Sequence, residues 1–199
     1  MKSVRIGVWV AVLIVAGILG WLSFGNGRAP EAAAGGPYGV PFTLVSQSGQ
    51  PISDQAFRGK PSAVFFGYTH CPDVCPTTLF ELDGWLQKVD PDGTKLNAYF
   101  VTVDPERDTP DIMKQYVSNV SQRITGISGA PDKVMDMVKG FRVYAKKVPV
   151  DEKDPNGDYT MDHTASVFLL DSAGRFAGTI AYQEDPDTAV KKLQNLLKR

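Results

Sequence analysis

Both cysteines of the chain lie four residues apart in Gly67-Tyr68-Thr69-His70-Cys71-Pro72-Asp73-Val74-Cys75-Pro76, between an apolar run, Ala63 to Tyr68, and a helical pattern starting near Val74. A strand that ends at a cysteine and turns directly into a helix sets that sulfur beside unpaired N–H groups and the positive end of the helix dipole. Thiolate is favoured there. Asp73 is the expected N-cap, and Pro76 falls in the first turn, where its missing N–H costs nothing. Cys71 then precedes the helix and Cys75 lies in its first turn; side chains four apart on a helix are about 5–6 Å apart at Cβ. Two sulfurs so placed can bond to each other or hold one soft metal ion. Three intervening residues, against the two of a thioredoxin-type pair, leave more room between the sulfurs and favour the metal. A structural disulfide is the ordinary role of a cysteine pair in an exported protein. A bridge across three residues constrains little of the unfolded chain, however, because the benefit grows with loop length. The weight therefore falls on redox or metal chemistry.

Upstream, Ile6 to Phe24 is a run of nineteen residues without a charge, long enough to cross the hydrocarbon core of a bilayer as a helix. Lys2 and Arg5 precede it and only Arg28 follows closely, which keeps the N-terminus in the cytoplasm and sends the rest across. Ala32-Ala33-Ala34 could mimic a cleavage site, but the run exceeds the roughly 7–15 residues of a signal-peptide core, so an uncleaved anchor is expected. Residues 1–28 are read as this anchor and 29–40, rich in Gly, Ala and Pro, as a flexible tether. Residues 41–199 then form one domain with room for a proper core. This topology places the domain on the outer, periplasmic side of the inner membrane, where a cysteine pair can cycle between dithiol and disulfide. The formal charge is −1; removing the three basic groups of residues 1–28 leaves 18 basic against 22 acidic groups, or −4. Such a balance excludes a nucleic-acid binder.

The domain is expected to open with a strand at Pro41 to Val45 and a polar turn at Ser48-Gly49-Gln50, followed by a central strand, Ala63 to Tyr68, buried on both faces. The helix after Asp73 carries Leu79, Leu82, Leu86 and Val89 on one side. Leu96 to Val103 is a second buried strand, and Asp104 to Asp108 the loop beyond it. Thr109-Pro110-Asp111 reads as a helix start, with Ile112, Met113, Tyr116 and Val117 as the apolar stripe. The aspartates of the 104–111 segment read most simply as turn and capping residues; a second reading has Asp104 and Arg107 on the rim of the cysteine edge, meeting a partner. A short strand at Ile124 to Ile127 and a helix from Pro131, with Val134, Met137 and Val138 inward, come next. Phe141 to Val150 alternates like a strand and breaks at Asp154-Pro155-Asn156-Gly157, whose Asn-Gly pair marks a tight hairpin turn. Tyr159 to Thr164 leads into a buried strand, Ala165 to Leu170, then a hairpin to Arg175–Ile180 and a last helix, Pro186 to Leu197, burying Val190, Leu193 and Leu197. The sum is an α/β fold, a mixed sheet flanked by helices.

His163 stands just before the 165–170 strand. The carboxyl ends of parallel strands gather on one edge of a sheet, and a strand antiparallel to them begins at that edge, so His163 can meet Cys71 and Cys75. Two thiolates and an imidazole form a set that copper accepts as Cu(I) or Cu(II). His70 is the rival ligand; adjacent side chains of an extended segment point to opposite faces, which sets His70 beside the site. Structural zinc normally takes four protein ligands and would need His70 or a carboxylate as well. No nucleophile-elbow pattern surrounds Ser166 and Asp162, so Ser-His-Asp catalysis has no support.

The blocks Gly67 to Leu79, Val101 to Pro110, and Asp162-His163-Thr164 leading into Phe168-Leu169-Leu170-Asp171 resemble, in this order, those of the Sco/SenC family of membrane-anchored copper proteins. The resemblance spans Pro41 to the C-terminus. It implies a thioredoxin-like fold behind an N-terminal transmembrane helix, with copper held by Cys71, Cys75 and the histidine matching His163. It implies a metallochaperone for the binuclear copper site of cytochrome c oxidase, with oxidase subunit II or another copper-receiving protein, a copper donor and a thiol reductant as partners. The alternative within the resemblance is a thiol-disulfide oxidoreductase in which Cys71 and Cys75 are the redox-active pair. Related thioredoxin-like proteins carry a cis-proline before the strand matching 166–170; Ala165 near that place, with His163 just before it, weakens the case for a general disulfide exchanger. A peroxidase is disfavoured by Pro72 and by a second sulfur four residues on.

Overall fold

The computed structural model describes residues 36–154 and 157–199. The anchor expected at 1–28 and the tether up to residue 35 lie outside these residues; among the described residues no helix is long and apolar enough to cross a membrane.

From Pro37 the chain forms one unit, with nine strands among the described residues: β1 Thr43–Ser46, β2 Pro51–Ser53, β3 Ser62–Gly67, β4 Asn97–Thr102, β5 Ile124–Ser128, β6 Ala145–Pro149, β7 Tyr159–His163, β8 Ser166–Leu170 and β9 Phe176–Ala181. The helices are α1 Val74–Val89, α2 Pro110–Ser118, α3 Pro131–Gly140 and α4 Pro186–Leu196, with a short 3-10 turn at Asp54–Phe57. Seven strands make one sheet in the order β2-β1-β5-β4-β3-β8-β9; β6 and β7 form a separate two-stranded ribbon. β3 runs parallel to β4, and β4 to β5, while β8 runs antiparallel to β3, with Phe65 opposite Val167. This is the mixed sheet flanked by helices that the hydrophobic pattern predicts, in a thioredoxin-like arrangement.

β3 lies inside the sheet, between β4 and β8, and every one of its residues is buried; apolar side chains on both faces demand cover on both faces. On one face Phe66 meets Phe141 and Phe168 at ring-centroid distances of 5.2 and 5.7 Å. On the other, Phe65 stacks on Phe100, and Phe100 on Tyr116 of α2. α1 buries Leu79, Leu82, Trp85 and Leu86; the expected stripe gains Trp85, and Val89 is only half-buried. In α2, Met113 and Val117 are buried and Ile112 is exposed; α4 buries Ala189, Leu193 and Leu196, leaving Val190 and Leu197 half-buried.

Two local expectations change. Phe141 is not the start of a strand: it caps α3, buried among rings, and Arg142 turns the chain away at φ 56° before β6 begins at Ala145. The β6–β7 ladder runs to Pro149 opposite Tyr159, with the Val150 N–H donating to the Asp158 carbonyl at 2.9 Å; the tight turn expected at Asn156-Gly157 involves Asn156, which lies outside the described residues. Asp73 occupies the N-cap position of α1 but its carboxylate makes no cap bond.

The chain enters the domain at the end of the sheet away from Cys71 and Cys75. Tyr38 N–H donates to the Gly174 carbonyl at 2.8 Å, in the β8–β9 turn, and the Tyr38 ring lies against Phe141, Phe168 and Phe176.

Candidate metal centre

β3 delivers the backbone to Gly67, and a turn through Tyr68 to Asp73 hands it to α1. Cys71 N–H donates to the Tyr68 carbonyl at 3.3 Å, and Cys75 N–H, free because it belongs to the first turn of α1, donates to Cys71 Sγ at 3.3 Å. An orphan amide of the helix start is thus satisfied by a sulfur. Gly67 permits the close approach: a Cβ there would stand 2.8 Å from Cys75 Sγ and 2.8 Å from a Phe100 ring carbon.

The turn is braced from beneath by Asp108. Its carboxylate, fully buried, accepts from the Thr69 N–H at 3.0 Å, the Thr69 hydroxyl at 2.5 Å and the Thr102 hydroxyl at 2.7 Å. Burial pushes its pKa up, against the pull of these donors. Asp108 thus ties the end of β4 to the residues that lead into Cys71. The sequence suggests only a turn or capping role for it, since nothing there distinguishes it from its neighbours Asp104 and Asp111. The capping role in this loop belongs to Thr109, whose hydroxyl accepts from Ile112 N–H at 3.4 Å.

His163 ends β7 and approaches from the ribbon. Its Nε2 lies 3.5 Å from Cys75 Sγ. Nδ1 lies 3.1 Å from the Thr164 carbonyl, an acceptor only, so Nδ1 carries the proton and the Nε2 lone pair faces the sulfurs. A metal-ligating histidine is ordinarily oriented in this way through its other nitrogen. The ring stands edge-on to Tyr68, with centroids 5.8 Å apart. Cys71 Sγ, Cys75 Sγ and a His163 ring nitrogen all lie within 4.8 Å of one another, a donor set of two soft sulfurs and one borderline nitrogen suited to a single copper ion.

The two thiols are unlike. Cys75 is wholly buried while Cys71 is 9% exposed at the mouth. The Cys71 thiol is pushed down to about 4, chiefly by the hydrogen bond from the Cys75 thiol, with the Cys75 amide adding to it against the cost of burial. The Cys75 thiol is pushed up by that same bond and then by burial. One proton thus leaves the pair easily and the second is held until something replaces it. The mouth opens into a cleft lined by Pro72, Val74, Val148, Thr160, Met161 and Ala165.

His70 is exposed and keeps to the side, with Nδ1 3.2 Å from the Thr69 hydroxyl and 4.0 Å from Asp108. Asp104 and Arg107 do not present a rim. The Asp104 side chain is fully buried and that of Arg107 is 20% exposed, and both are engaged with Tyr159 of β7. Arg107 and Tyr159 are 52 residues apart, a separation at which no periodic pattern signals contact.

The chain matches the SCO1/SenC family model over residues 30–198. It is 35% identical over 161 residues to the mitochondrial protein SCO2 of Saccharomyces cerevisiae, covering 80% of this chain and 53% of the relative. To an SCO2-like protein of Rickettsia prowazekii it is 33% identical over 138 residues, 69% of this chain and 66% of the relative. The chain thus spans between about half and two thirds of the length of these curated relatives. Among solved structures, it resembles ScoI of Bradyrhizobium japonicum with copper bound, at 46% identity and a TM-score of 0.72, covering 80% of this chain and 99% of that one. It also resembles yeast Sco1 with copper bound, at 34% identity and a TM-score of 0.73, covering 81% and 89% of the two chains.

Proposed function

This chain belongs to the SCO1/SenC family, and from that premise we propose that it carries copper for assembly of the binuclear copper site of cytochrome c oxidase, with Cys71, Cys75 and His163 as the ligands. The observation that carries the reading is the convergence of two sulfurs and an imidazole nitrogen within 4.8 Å. Copper is cargo here, supplied by a donor and passed to oxidase subunit II or another copper-receiving protein. Loading requires the reduced pair, because ligands must be thiolates and a disulfide offers none. Cys71 is ready at neutral pH, and Cys75 gives up its proton as copper arrives. Release runs by ligand exchange: Cys71, at the mouth, is the first sulfur an incoming thiolate meets, and buried Cys75 the last to let go.

In the same reading residues 1–28 anchor the chain in the inner membrane and residues 29–40 tether the domain on the periplasmic side. The uncharged run Ile6 to Phe24 and the preceding Lys2 and Arg5 support it. A tether raises the effective concentration of the domain near a membrane-bound recipient.

The test is titration of Cu(I) and Cu(II) into the reduced full chain beside His163→Ala. The variant is expected to keep Cu(I) on two thiolates and to lose tight Cu(II) binding, with the sulfur-to-copper charge-transfer absorption. Unchanged affinity for both states would falsify the three-ligand site.

The unequal thiols favour one second reading, reduction of a partner's disulfide. The Cys71 thiolate would attack one partner sulfur, expelling the other as thiolate; Cys75, losing its proton, would then attack Cys71 Sγ, leaving the chain oxidised and the partner a dithiol. Cys75→Ser should trap the mixed disulfide, and His163→Ala should leave the exchange intact.

A further inference from the structure

Among the described residues, the strand that ends in His163 has no ladder to the main sheet. There β7 pairs with β6 alone, and the polar partner of the His163 ring other than Cys75 is the carbonyl of the next residue, Thr164. Ladder bonds of β3 and β8 hold the chain on the near side of Cys71 and just after His163, where the Tyr182 N–H donates to the Ala165 carbonyl at 3.1 Å, so on its far side the imidazole depends on how the ribbon is fastened to the body.

The side-chain part of that fastening lies at the other end of β7. The Tyr159 hydroxyl donates to Asp104 Oδ1 at 2.8 Å. Arg107 donates from Nε to the other oxygen of Asp104 and from Nη1 to the Tyr159 carbonyl at 3.0 Å and to Asp158 at 3.3 Å. Its guanidinium carbon sits 3.8 Å from the centroid of the Tyr159 ring and 6.0 Å from that of Tyr68. Nη2 is buried without an oxygen partner among the described residues, the flat face of the group being taken up by the ring. Arg107 therefore touches both the first residue of the ligand strand and the aromatic ring against which His163 stands. Tyr159 and His163 are four residues apart, about 13 Å of extended strand, and a small rotation at one end displaces the other.

We propose that Arg107 and Tyr159 form a latch, anchored on Asp104, that positions His163 for the third coordination bond and so sets the preference of the site between Cu(II) and Cu(I). The proposal rests on the copper reading above. Cu(I) is satisfied by two thiolates, whereas Cu(II) needs the nitrogen. Releasing the latch therefore selectively weakens the oxidised state. Arg107 and Tyr159 are positioning residues, since neither lies among the ligating atoms.

The test is a double-mutant cycle on the reduced full chain, with Cu(I) and Cu(II) as separate probes. Arg107→Gln is expected to weaken Cu(II) about 10- to 100-fold, the usual effect of removing a group that orients a ligand. Cu(I) affinity should change by less than about threefold, and in the His163→Ala background Arg107→Gln should add nothing. Equal weakening in both backgrounds, or unchanged Cu(II) affinity, would overturn the latch. If Arg107→Gln does not fold, Tyr159→Phe carries the same cycle, keeping the ring and losing the bond to Asp104. A metal-free readout separates this proposal from the copper reading. The His163 ring signals in a nitrogen–proton NMR correlation should move or broaden in either variant while those of His70 stay in place. Unmoved His163 signals would reject the latch whatever the chain does with copper.

Discussion

The cysteine turn and the histidine ribbon are two halves of one site built in different ways. Cys71 and Cys75 are set by a fully buried strand, by the first turn of α1 and by Asp108 beneath. His163 rides on a ribbon joined to the body by its chain ends, the buried Met161 and side-chain bonds around Tyr159. Sheet ladders and a packed core leave little freedom, whereas a side-chain fastening can be retuned by one substitution. The thiolates are thus the fixed half and the imidazole the adjustable half.

The largest effect should appear in the chemistry of the fixed half. Because the Cys71 thiol is held down to about 4, its alkylation rate in the folded protein should stay flat from pH 8 to pH 5. In the urea-unfolded chain the rate should fall roughly a thousandfold over the same interval, tenfold per pH unit below the free-thiol pKa. Equal pH profiles would remove the asymmetry of the pair. The same shifts have a sign in stability. Cys71, depressed on folding, contributes stability that is full above the ordinary thiol value of 9.0 and lost as pH falls through about 4. Cys75, raised on folding, withdraws stability above pH 9.0.

Phe66→Ala, within β3 itself, should cost about 3–5 kcal/mol by urea denaturation, since Phe66 is fully buried against Phe141 and Phe168. A loss below about 1 kcal/mol would show a core looser than the fixed half requires. Asp108→Asn should cost about 1–3 kcal/mol, leaving buried donors short of an acceptor, and should weaken Cu(I) as well as Cu(II), unlike a change in the latch. An effect confined to Cu(II) would place Asp108 with the adjustable half. Lys147→Ala removes a pair with Glu106 whose side chains are 45% and 56% exposed and should change stability by less than about 1 kcal/mol. A larger loss would mean that the ribbon carries more of the fold than its separate ladder implies.

What the sequence disclosed follows the same division. The run Ala63 to Tyr68, the helical stripe of Leu79, Leu82 and Leu86 and the cysteine spacing are local patterns, and each marks an element of the fixed half. The approach of His163 was legible one step further on, because a strand antiparallel to β3 has to start at the cysteine edge. The fastening of the ribbon was not. Asp104 reads first as a turn or capping residue, and with Arg107 only second as rim, because charged side chains after a strand usually face water, and their burial depends on Tyr159, far along the chain. The separate ribbon was hidden for a similar reason: alternation in β6 and β7 shows that they are strands but not which sheet they join.

The way the chain enters the domain has a mechanical consequence. Tyr38 is pinned to the β8–β9 turn and to three aromatic rings at the pole remote from the sulfurs. Any pull transmitted through the residues before it is taken up by that aromatic knot and spread along β8, without loading the turn between Gly67 and Val74. On the proposed function, in which residues 29–40 are a tether, the end bearing Cys71 and Cys75 can turn toward a copper recipient while the spacing of the thiols stays as the sheet sets it.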